Sequence, residues 1–258
     1  MTIYPLPSLE DNYIWLIQDN DSSDVWVVDP GDAKPVQTHC AKHNLTIKGI
    51  IVTHHHWDHT NGILALKCQF TCPIYGPEHL HPKLVSHPVK EGDTVRIFDL
   101  DLTVWETPGH TLDHICFVSQ DADHPLIFCG DTVFRGGCGR LMEGTPEQMH
   151  SSLSRIGTLA PETLMYGTHE YSLANYKFAK SLEPTNQRLI DSEASCQELR
   201  GFVAPTLPTT LELELATNPF FRSSVPTVVD AAAHQLNQTP DYTPAGAFAQ
   251  IRRAKDLF

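Results

Sequence analysis

Thr53-His54-His55-His56-Trp57-Asp58-His59 places four histidines and one aspartate within seven residues. The stretch follows the apolar run Gly49–Val52, which is typical of a short buried strand that ends in a polar loop. Imidazole nitrogens and carboxylate oxygens are the ligands that divalent transition metals of borderline softness prefer. The sequence therefore predicts a metal site at the end of this strand, with the H-x-H-x-D-H pattern formed by His54, His56, Asp58 and His59.

The spacing of these ligands indicates two metal ions rather than one. Side chains alternate along a strand, so His54 and His56 are expected on one side and His55 on the other. A turn would then bring Asp58 and His59 to a second point close by. One ion does not need five ligands from one loop. A single structural zinc is the alternative, but such sites usually contain several cysteines, and this stretch has none.

Length and charge limit the classes of protein to consider. The chain has 258 residues, which allows one large domain, or one domain and a smaller appendage. Its formal net charge of -13 argues against nucleic acid or an anionic membrane as the main partner. The segment Met1–Pro5 does not resemble a signal peptide, and no apolar run is long enough to span a membrane. We expect a monomer.

The cysteines predict a reducing compartment. There are seven, an odd number, and none forms a C-x-x-C motif. In a chain without a secretion signal, this usage indicates reduced thiols and therefore a cytoplasmic location. Cys116 and Cys129 lie in strand-like runs, where we expect them to be buried as small apolar residues.

Three further apolar runs end in a residue that can bind a metal. His110, Asp131 and His169 each follow a predicted strand, in a turn that contains glycine. Ligands at the ends of neighbouring strands converge at one rim of a sheet, where loops carry function on a rigid scaffold. None of the three would be notable alone, but their shared context makes all three candidate ligands.

Patterns along the chain predict a β-rich body followed by helices. Thr145 is expected to cap a helix over Pro146–Ile156. We expect a surface loop that contains His79, His81 and His87, and a second loop over Pro205–Thr210. The predicted C-terminal helices cover Ala174–Leu182, Asn186–Arg200 and Ala245–Lys255.

The segment Ile251–Lys255 is the densest basic cluster of this acidic chain. One interpretation is a solvated helix end, because cations are favoured near a helix C-terminus. The other is a local binding site for an anionic small molecule. The pattern alone gives both interpretations about equal weight.

Taken together, these motifs resemble glyoxalase II, the hydroxyacylglutathione hydrolases of the metallo-β-lactamase superfamily. The resemblance covers essentially the whole chain, and the histidine stretch is specific only to the superfamily. Closer matches to glyoxalase II are Gly136–Arg140, His169-Glu170-Tyr171 and the basic C-terminus. The other matching segments are Asp11–Trp15, Val28–Gly31, Thr107–Thr111, Cys129–Thr132 and Asn218–Phe220.

The resemblance implies an α+β fold, the metallo-β-lactamase αββα sandwich with a mostly helical C-terminal segment. It divides the chain into a dinuclear metal domain over residues 1–171 and a substrate-binding segment over residues 172–258. One metal is assigned to His54, His56 and His110, the other to Asp58, His59 and His169, and Asp131 bridges them. Zinc is the expected metal, with iron or manganese as alternatives.

The implied reaction is hydrolysis of S-(2-hydroxyacyl)glutathione, typically S-D-lactoylglutathione, to D-lactate and glutathione, the second step of methylglyoxal detoxification. In the family a metal-bridging hydroxide attacks the thioester, and Asp58 and Asp131 are the implied catalytic residues. The residues implied to bind the glutathione part are Arg140, Tyr171, Arg252 and Lys255.

Three rival functions remain open at this point. An iron persulfide dioxygenase on the same fold would retain fewer metal ligands, commonly for a single iron. A lactonase or β-lactamase would keep the metals but would not need a basic C-terminus. A non-catalytic metal-binding protein would have closed coordination and no activity on thioesters.

Overall fold

The computed structural model describes residues 1–121 and 123–258, and the fold class of this part is α+β. Its strands are β1 Thr2–Ser8, β2 Asn12–Gln18, β3 Asp24–Val28, β4 Thr46–Ile51, β5 Ile74–Pro77, β6 His87–Val89, β7 Thr94–Ile97, β8 Leu100–Glu106, β9 Ile115–Ser119, β10 Leu126–Gly130, β11 Val133–Phe134, β12 Gly137–Cys138, β13 Leu164–Gly167 and β14 Thr209–Thr210. Its helices are α1 Ala33–His43, α2 Trp57–Thr60, α3 Ile63–Gln69, α4 Pro146–Ile156, α5 Ser172–Leu182, α6 Gln187–Gly201, α7 Leu211–Thr217, α8 Pro226–Gln235 and α9 Pro244–Leu257.

Two compact units make up the chain. Unit 1 contains Met1–Glu106, Asp113–Ser119 and Ile127–Gly130, and unit 2 contains Thr107–Leu112, Gln120–Leu126 and Asp131–Phe258. Within the described residues, no helix is both long enough and apolar enough to cross a bilayer.

Unit 1 is built on a six-stranded sheet in the order β1 to β6. The first three strands pair antiparallel, and a polar turn joins β2 to β3 in a hairpin. From β3 onward the pairing is parallel, so strand β4 runs through the buried interior, and the predicted strand before the histidines is confirmed. Strands β7 to β10 follow in chain order in a second sheet.

An apolar core fixes the position of β4 and thus of the loop that leaves it. Ile50 and Val52 are fully buried in a cluster with Val36 of α1 and with Ile63 and Leu66 of α3. Each such side chain contributes about 2 kcal/mol through its removal from water. The polar loop after β4 therefore begins at a rigid point.

Unit 2 combines the remaining strands with the helices α4 to α9. Thr145 caps α4 as predicted, accepting from the backbone N–H of Gln148, whose side chain completes a capping box. Strands β11 and β12 form a short antiparallel hairpin in which Arg135 and Gly136 make the turn. Gly136 has φ +70°, a conformation that glycine adopts without strain.

A buried carboxylate holds this hairpin. Glu214 of α7 accepts at 2.8 Å from the backbone N–H of Gly136, from the Asn218 amide and from the Thr209 hydroxyl. The Asn218 amide also donates to the carbonyl of Gly137 at 2.9 Å. Burial raises the pKa of the Glu214 carboxyl, while these donors act in the opposite direction. The Asn218-Pro219-Phe220 motif thus has a structural role that sequence inspection did not reveal.

Some sequence-based expectations need correction. His87 begins strand β6 instead of lying in a loop, because it pairs with Tyr75 of β5. The expected loop over Pro205–Thr210 ends in strand β14, which pairs with β13. Helices α7 and α8 were not predicted at all. Cys116 and Cys129 are buried as predicted, and none of the cysteines in the described chain forms a disulfide.

Replacement of Glu214 tests the importance of this polar network. Glu214→Ala leaves three buried donors without an acceptor, so we expect the free energy of unfolding to fall by about 3 kcal/mol. Glu212→Ala is the matched control on the same helix, since Glu212 is exposed and pairs only at the surface with Arg188. We expect the control to change stability by less than about 0.5 kcal/mol in urea titrations. Equal stability of both variants would contradict the assignment.

Candidate metal centre

Unit 1 brings four of the predicted ligands together. The ring centroids of His54 and His56 are 4.7 Å apart, and those of His54 and His59 are 4.1 Å apart. Asp58 places Oδ2 3.6 Å from Nε2 of His59. Helix α2 starts immediately after His56 and turns the chain back, so the predicted turn is a short helix.

Asp29 fixes the orientation of two of these histidines. Its Oδ2 accepts from the Thr53 hydroxyl at 2.7 Å and from Nδ1–H of His59 at 3.0 Å. Because the Thr53 hydroxyl donates to Asp29, it accepts from Nδ1–H of His54, 3.1 Å away. This hydrogen-bond pattern assigns the proton to Nδ1 in both rings, which makes Nε2 the metal-binding nitrogen.

Two residues of unit 1, from the segments Asp11–Trp15 and Val28–Gly31 that resemble the family, lie against Asp58. The amide of Asn12 donates to Asp58 Oδ2 at 3.1 Å. A Cβ atom on Gly31 would lie 1.8 Å from the backbone oxygen of Asp58, so only glycine fits there. Both contacts restrict the position of the Asp58 carboxylate.

His55 points away from this group, in agreement with strand alternation. Its side chain is 40% exposed, and its Nδ1 lies 2.8 Å from Oδ1 of Asp113. His54 and His59, in contrast, are fully buried. His55 is therefore not grouped with His54, His56 and His59.

Unit 2 brings the other three candidate ligands together around one carboxylate. Asp131 directs Oδ2 to Nε2 of His110 at 3.4 Å and Oδ1 to Nε2 of His169 at 3.3 Å. All three side chains are more than nine-tenths buried. The two oxygens of Asp131 thus face two different imidazoles, as a bridging carboxylate requires.

The spacing of these atoms fits a divalent ion. Two ligand atoms that each lie about 2.1 Å from a tetrahedral zinc are about 3.4 Å apart. The pairs within unit 2, at 3.3 and 3.4 Å, match this separation. The donor set is suitable too, since each of the seven predicted ligands carries an imidazole nitrogen or a carboxylate oxygen.

The segment Gly136–Arg140 supports His110 through its backbone. Nδ1–H of His110 donates to the carbonyl of Arg140 at 2.8 Å, which again makes Nε2 the metal-binding nitrogen. A Cβ atom on Gly139 would lie 2.1 Å from the backbone oxygen of Asp131. The glycine is therefore required where this segment passes the ligand.

Tyr171 packs directly against a candidate ligand. Its ring stacks on that of His169 with a centroid distance of 4.8 Å and an interplanar angle of 3°. Phe134 of β11 contacts both rings edge-on. Tyr171 remains 37% exposed.

The three predicted substrate-binding cations have different environments. Arg140 is 74% exposed, whereas the Arg252 side chain is only 6% exposed. Arg252 donates to the carbonyl of Cys138 at 3.1 Å and to Asp256 at 2.8 Å. Its guanidinium also lies 4.9 Å from the ring centroid of Phe220.

Lys255 is half-buried and donates to the carbonyl of Ala174 at 3.0 Å. Burial, together with the nearby Arg252, lowers the pKa of Lys255 to about 8. Its ammonium lies 5.2 Å from the ring centroid of Phe178. A solvated helix end would not have these contacts, so the basic cluster is part of a structured surface of unit 2.

Comparison with known proteins gives consistent results over the whole chain. The model of the metallo-beta-lactamase superfamily matches residues 9–169, and that of the hydroxyacylglutathione hydrolase C-terminus matches residues 170–258. The chain is 55% identical to the hydroxyacylglutathione hydrolase of Marinomonas sp. (strain MWYL1), with all of both chains covered. It is 44% identical to that of Pseudomonas aeruginosa (strain LESB58), with 98% of each covered. The chain belongs to the hydroxyacylglutathione hydrolases.

Solved structures show that the chain has the metallo-β-lactamase fold. ETHE1 from Myxococcus xanthus matches with a TM-score of 0.66 and 24% identity, over 98% of this chain and 100% of that one. A metallo-beta-lactamase from Staphylococcus aureus matches with a TM-score of 0.62 and 23% identity, over 94% and 67%. At these identities the likeness concerns the fold alone, and it confirms the fold predicted from the sequence.

The sequence patterns did not identify every residue that shapes the site. Asp29 and Gly31 were noted only as parts of a motif, and Thr53 only as the start of the histidine stretch. Their roles depend on contacts between segments far apart in the chain. Asp29 has φ +51°, an uncommon backbone conformation for a residue other than glycine. Such conformations are concentrated at functional sites, but this one can be seen only in the structure.

Asp29→Asn tests whether Asp29 sets the histidine tautomers. An amide group facing Nδ1 of His59 would favour the wrong tautomer, so we expect metal affinity to fall about 10- to 100-fold. Metal retained after dialysis against a chelator, measured by elemental analysis, checks this. Asp32→Asn is the control, because Asp32 caps helix α1 and an asparagine cap preserves that contact. Unchanged metal retention in Asp29→Asn would contradict the tautomer assignment.

Proposed function

We propose that the chain hydrolyses S-(2-hydroxyacyl)glutathione, with S-D-lactoylglutathione as the typical substrate, to a 2-hydroxy acid and glutathione. The observation that carries the proposal is the match of residues 170–258 to the hydroxyacylglutathione hydrolase C-terminus. That segment contains Tyr171, Arg252 and Lys255, and the chain also has the full set of seven candidate metal ligands.

We further propose two divalent ions, with zinc as the expected metal and iron or manganese as alternatives. One would be held by His54, His56 and His110, the other by Asp58, His59 and His169, with Asp131 bridging. Three assigned tautomers support this, since His54, His59 and His110 each use Nδ1 in a hydrogen bond. The two-sided position of Asp131 within unit 2 supports it too.

When bound, such ions lower the pKa of a coordinated water and polarise the thioester carbonyl. Asp29 and the carbonyl of Arg140 keep the imidazoles in the required tautomers. Asp58 and Asp131 supply the negative charge that retains the ions. A cysteine thiol has a pKa of about 8.5, so glutathione can leave as the thiolate without a protein acid.

Binding of the glutathione part is assigned to Arg140, Tyr171, Arg252 and Lys255. Glutathione carries two carboxylates and one ammonium, so an acidic protein must concentrate cations locally to bind it. Arg140 is accessible for a bidentate contact, and Lys255 offers a point charge. Arg252 is buried and donates to the carbonyl of Cys138, two residues before Arg140. This contact supports a role of Arg252 in shaping the surface around Arg140.

The proposed boundary lies between residues 171 and 172, with the metal domain before it and the substrate-binding segment after it. The change of matching family model at residues 169 and 170 supports this division. We also propose a cytoplasmic monomer. Seven cysteines without a disulfide in the described chain support a reducing compartment, and sedimentation velocity would test the monomer.

Loss of the thioester absorbance of S-D-lactoylglutathione tests the proposed function. We expect rapid hydrolysis that stops after chelation and returns with added zinc. Asp131→Asn should lose metal and turnover together, because an amide lacks the charge for a bridge. Hydrolysis of a lactone or a β-lactam, or oxygen consumption, in place of thioester hydrolysis would favour the rival enzymes. No activity in the metal-loaded protein on any of these would contradict an enzymatic function.

Lys255→Ala tests the assignment of the basic cluster. We expect KM to rise about tenfold, about 1.4 kcal/mol, with kcat little changed. Lysine is charged below its pKa, so in the wild type KM should also rise above pH 8, and this rise should vanish in the variant. Arg253→Ala is the matched control, because Arg253 is exposed on the same helix. Equal KM values for Lys255→Ala and wild type would exclude Lys255 from binding.

A further inference from the structure

Asp256 brings a negative charge into the basic cluster. Its Oδ1 accepts from Nη2 of Arg252 at 2.8 Å and lies 3.8 Å from Nε of Arg140. Its side chain is 40% exposed. The carboxylate therefore contacts two of the cations that the proposed function assigns to substrate binding.

These two contacts differ in strength. Arg252 is buried, and the carbonyl of Cys138 and the ring of Phe220 restrict it further, so its pair with Asp256 is fixed. Arg140 is 74% exposed, and its 3.8 Å separation from Asp256 is longer than a hydrogen bond. An incoming anion can therefore replace Asp256 at the exposed Arg140 more readily than at the enclosed Arg252.

In the free protein, Asp256 is the anion that partly neutralises these cations. Three cations on one surface repel each other, and Asp256 acts against that repulsion at Arg252, Arg140 and Lys255. A carboxylate of the substrate carries the same charge and geometry as Asp256. It would therefore compete with Asp256 for the guanidinium of Arg140.

We propose that Asp256 is a specificity-determining residue that pairs with Arg140 in the free enzyme and yields it to a carboxylate of the substrate. Asp256 thereby weakens the binding of all anionic ligands, and only those with a well-placed carboxylate displace it. This inference rests on the proposed glutathione thioester substrate. It concerns affinity and selectivity, not the chemical step.

Asp256→Asn separates the two contacts. Asparagine keeps an oxygen that can accept from Arg252, but it removes the charge that competes for Arg140. We expect KM for S-D-lactoylglutathione to fall about threefold, because the substrate no longer has to break one exposed ion pair. We expect kcat to stay the same. Assays at about pH 6 keep Lys255 charged in both proteins, since its pKa is about 8 in the wild type and loss of the Asp256 charge lowers it in the variant.

Two comparisons make the test specific. Glu198→Gln changes the net charge equally at an exposed position of helix α6, so its KM should match the wild type. A substrate whose glycine carboxylate is converted to an amide should lose the advantage in Asp256→Asn if that carboxylate is the competing group. Arg140→Gln should also abolish the gain, because it removes the shared partner. Thermal melting verifies that each variant is folded.

The outcomes distinguish this inference from the proposed function. An unchanged or raised KM in folded Asp256→Asn, or an equal gain with Glu198→Gln, overturns the inference and leaves the hydrolase intact. Failure of the wild type to hydrolyse the thioester overturns the proposed function. Calorimetric titration of glutathione into the wild type and Asp256→Asn then decides the inference, and equal Kd values would reject it.

Discussion

The Asp131 carboxylate, shared between His110 and His169, is the constraint on which the candidate site in unit 2 depends. Its two oxygens lie 3.4 and 3.3 Å from two imidazole nitrogens, so small shifts of any of the three would break the geometry. The local structure restricts each member separately. Gly139 passes close to the Asp131 backbone, the Arg140 carbonyl holds His110, and Tyr171 covers the face of His169. Such supporting contacts are what keep a metal site precise.

The ten residues from Asp131 to Arg140 connect the candidate metal ligands to the basic cluster. They begin at the shared carboxylate, form the β11–β12 hairpin and end at an exposed cation. Glu214 and Asn218 hold the hairpin from one side, and Arg252 binds the carbonyl of Cys138. Loss of these buried hydrogen bonds would therefore disturb the candidate ligand Asp131 and the exposed Arg140 together, although none of the supporting residues is a candidate metal ligand.

The candidate ligands could be predicted from the sequence because each follows a strand, and strand periodicity is a local property of the chain. The roles of Asp29 and Glu214 could not, since they depend on contacts across 24 and 78 residues. Helix α7 was missed because Leu211-Glu212-Leu213-Glu214-Leu215 alternates like a strand, while the Thr210 cap and two early glutamates favour a helix. The burial of Arg252 was equally invisible, as the pattern Arg252-Arg253 does not distinguish a buried cation from an exposed one.

The different surroundings of Arg252 and Lys255 explain how an acidic chain can keep cations in a partly buried surface. The adjacent Asp256 and the Phe220 ring compensate the buried Arg252 guanidinium for its loss of water. Lys255 is bound mainly to a backbone carbonyl, which compensates less, and its pKa falls to about 8. An incoming carboxylate would supply a negative partner for the Lys255 ammonium. Binding of a ligand anion and protonation of Lys255 should therefore favour each other. The surface formed by these cations is thus fixed at Arg252 and responsive at Lys255 and Arg140, which would suit reversible binding of an anion under the proposed function.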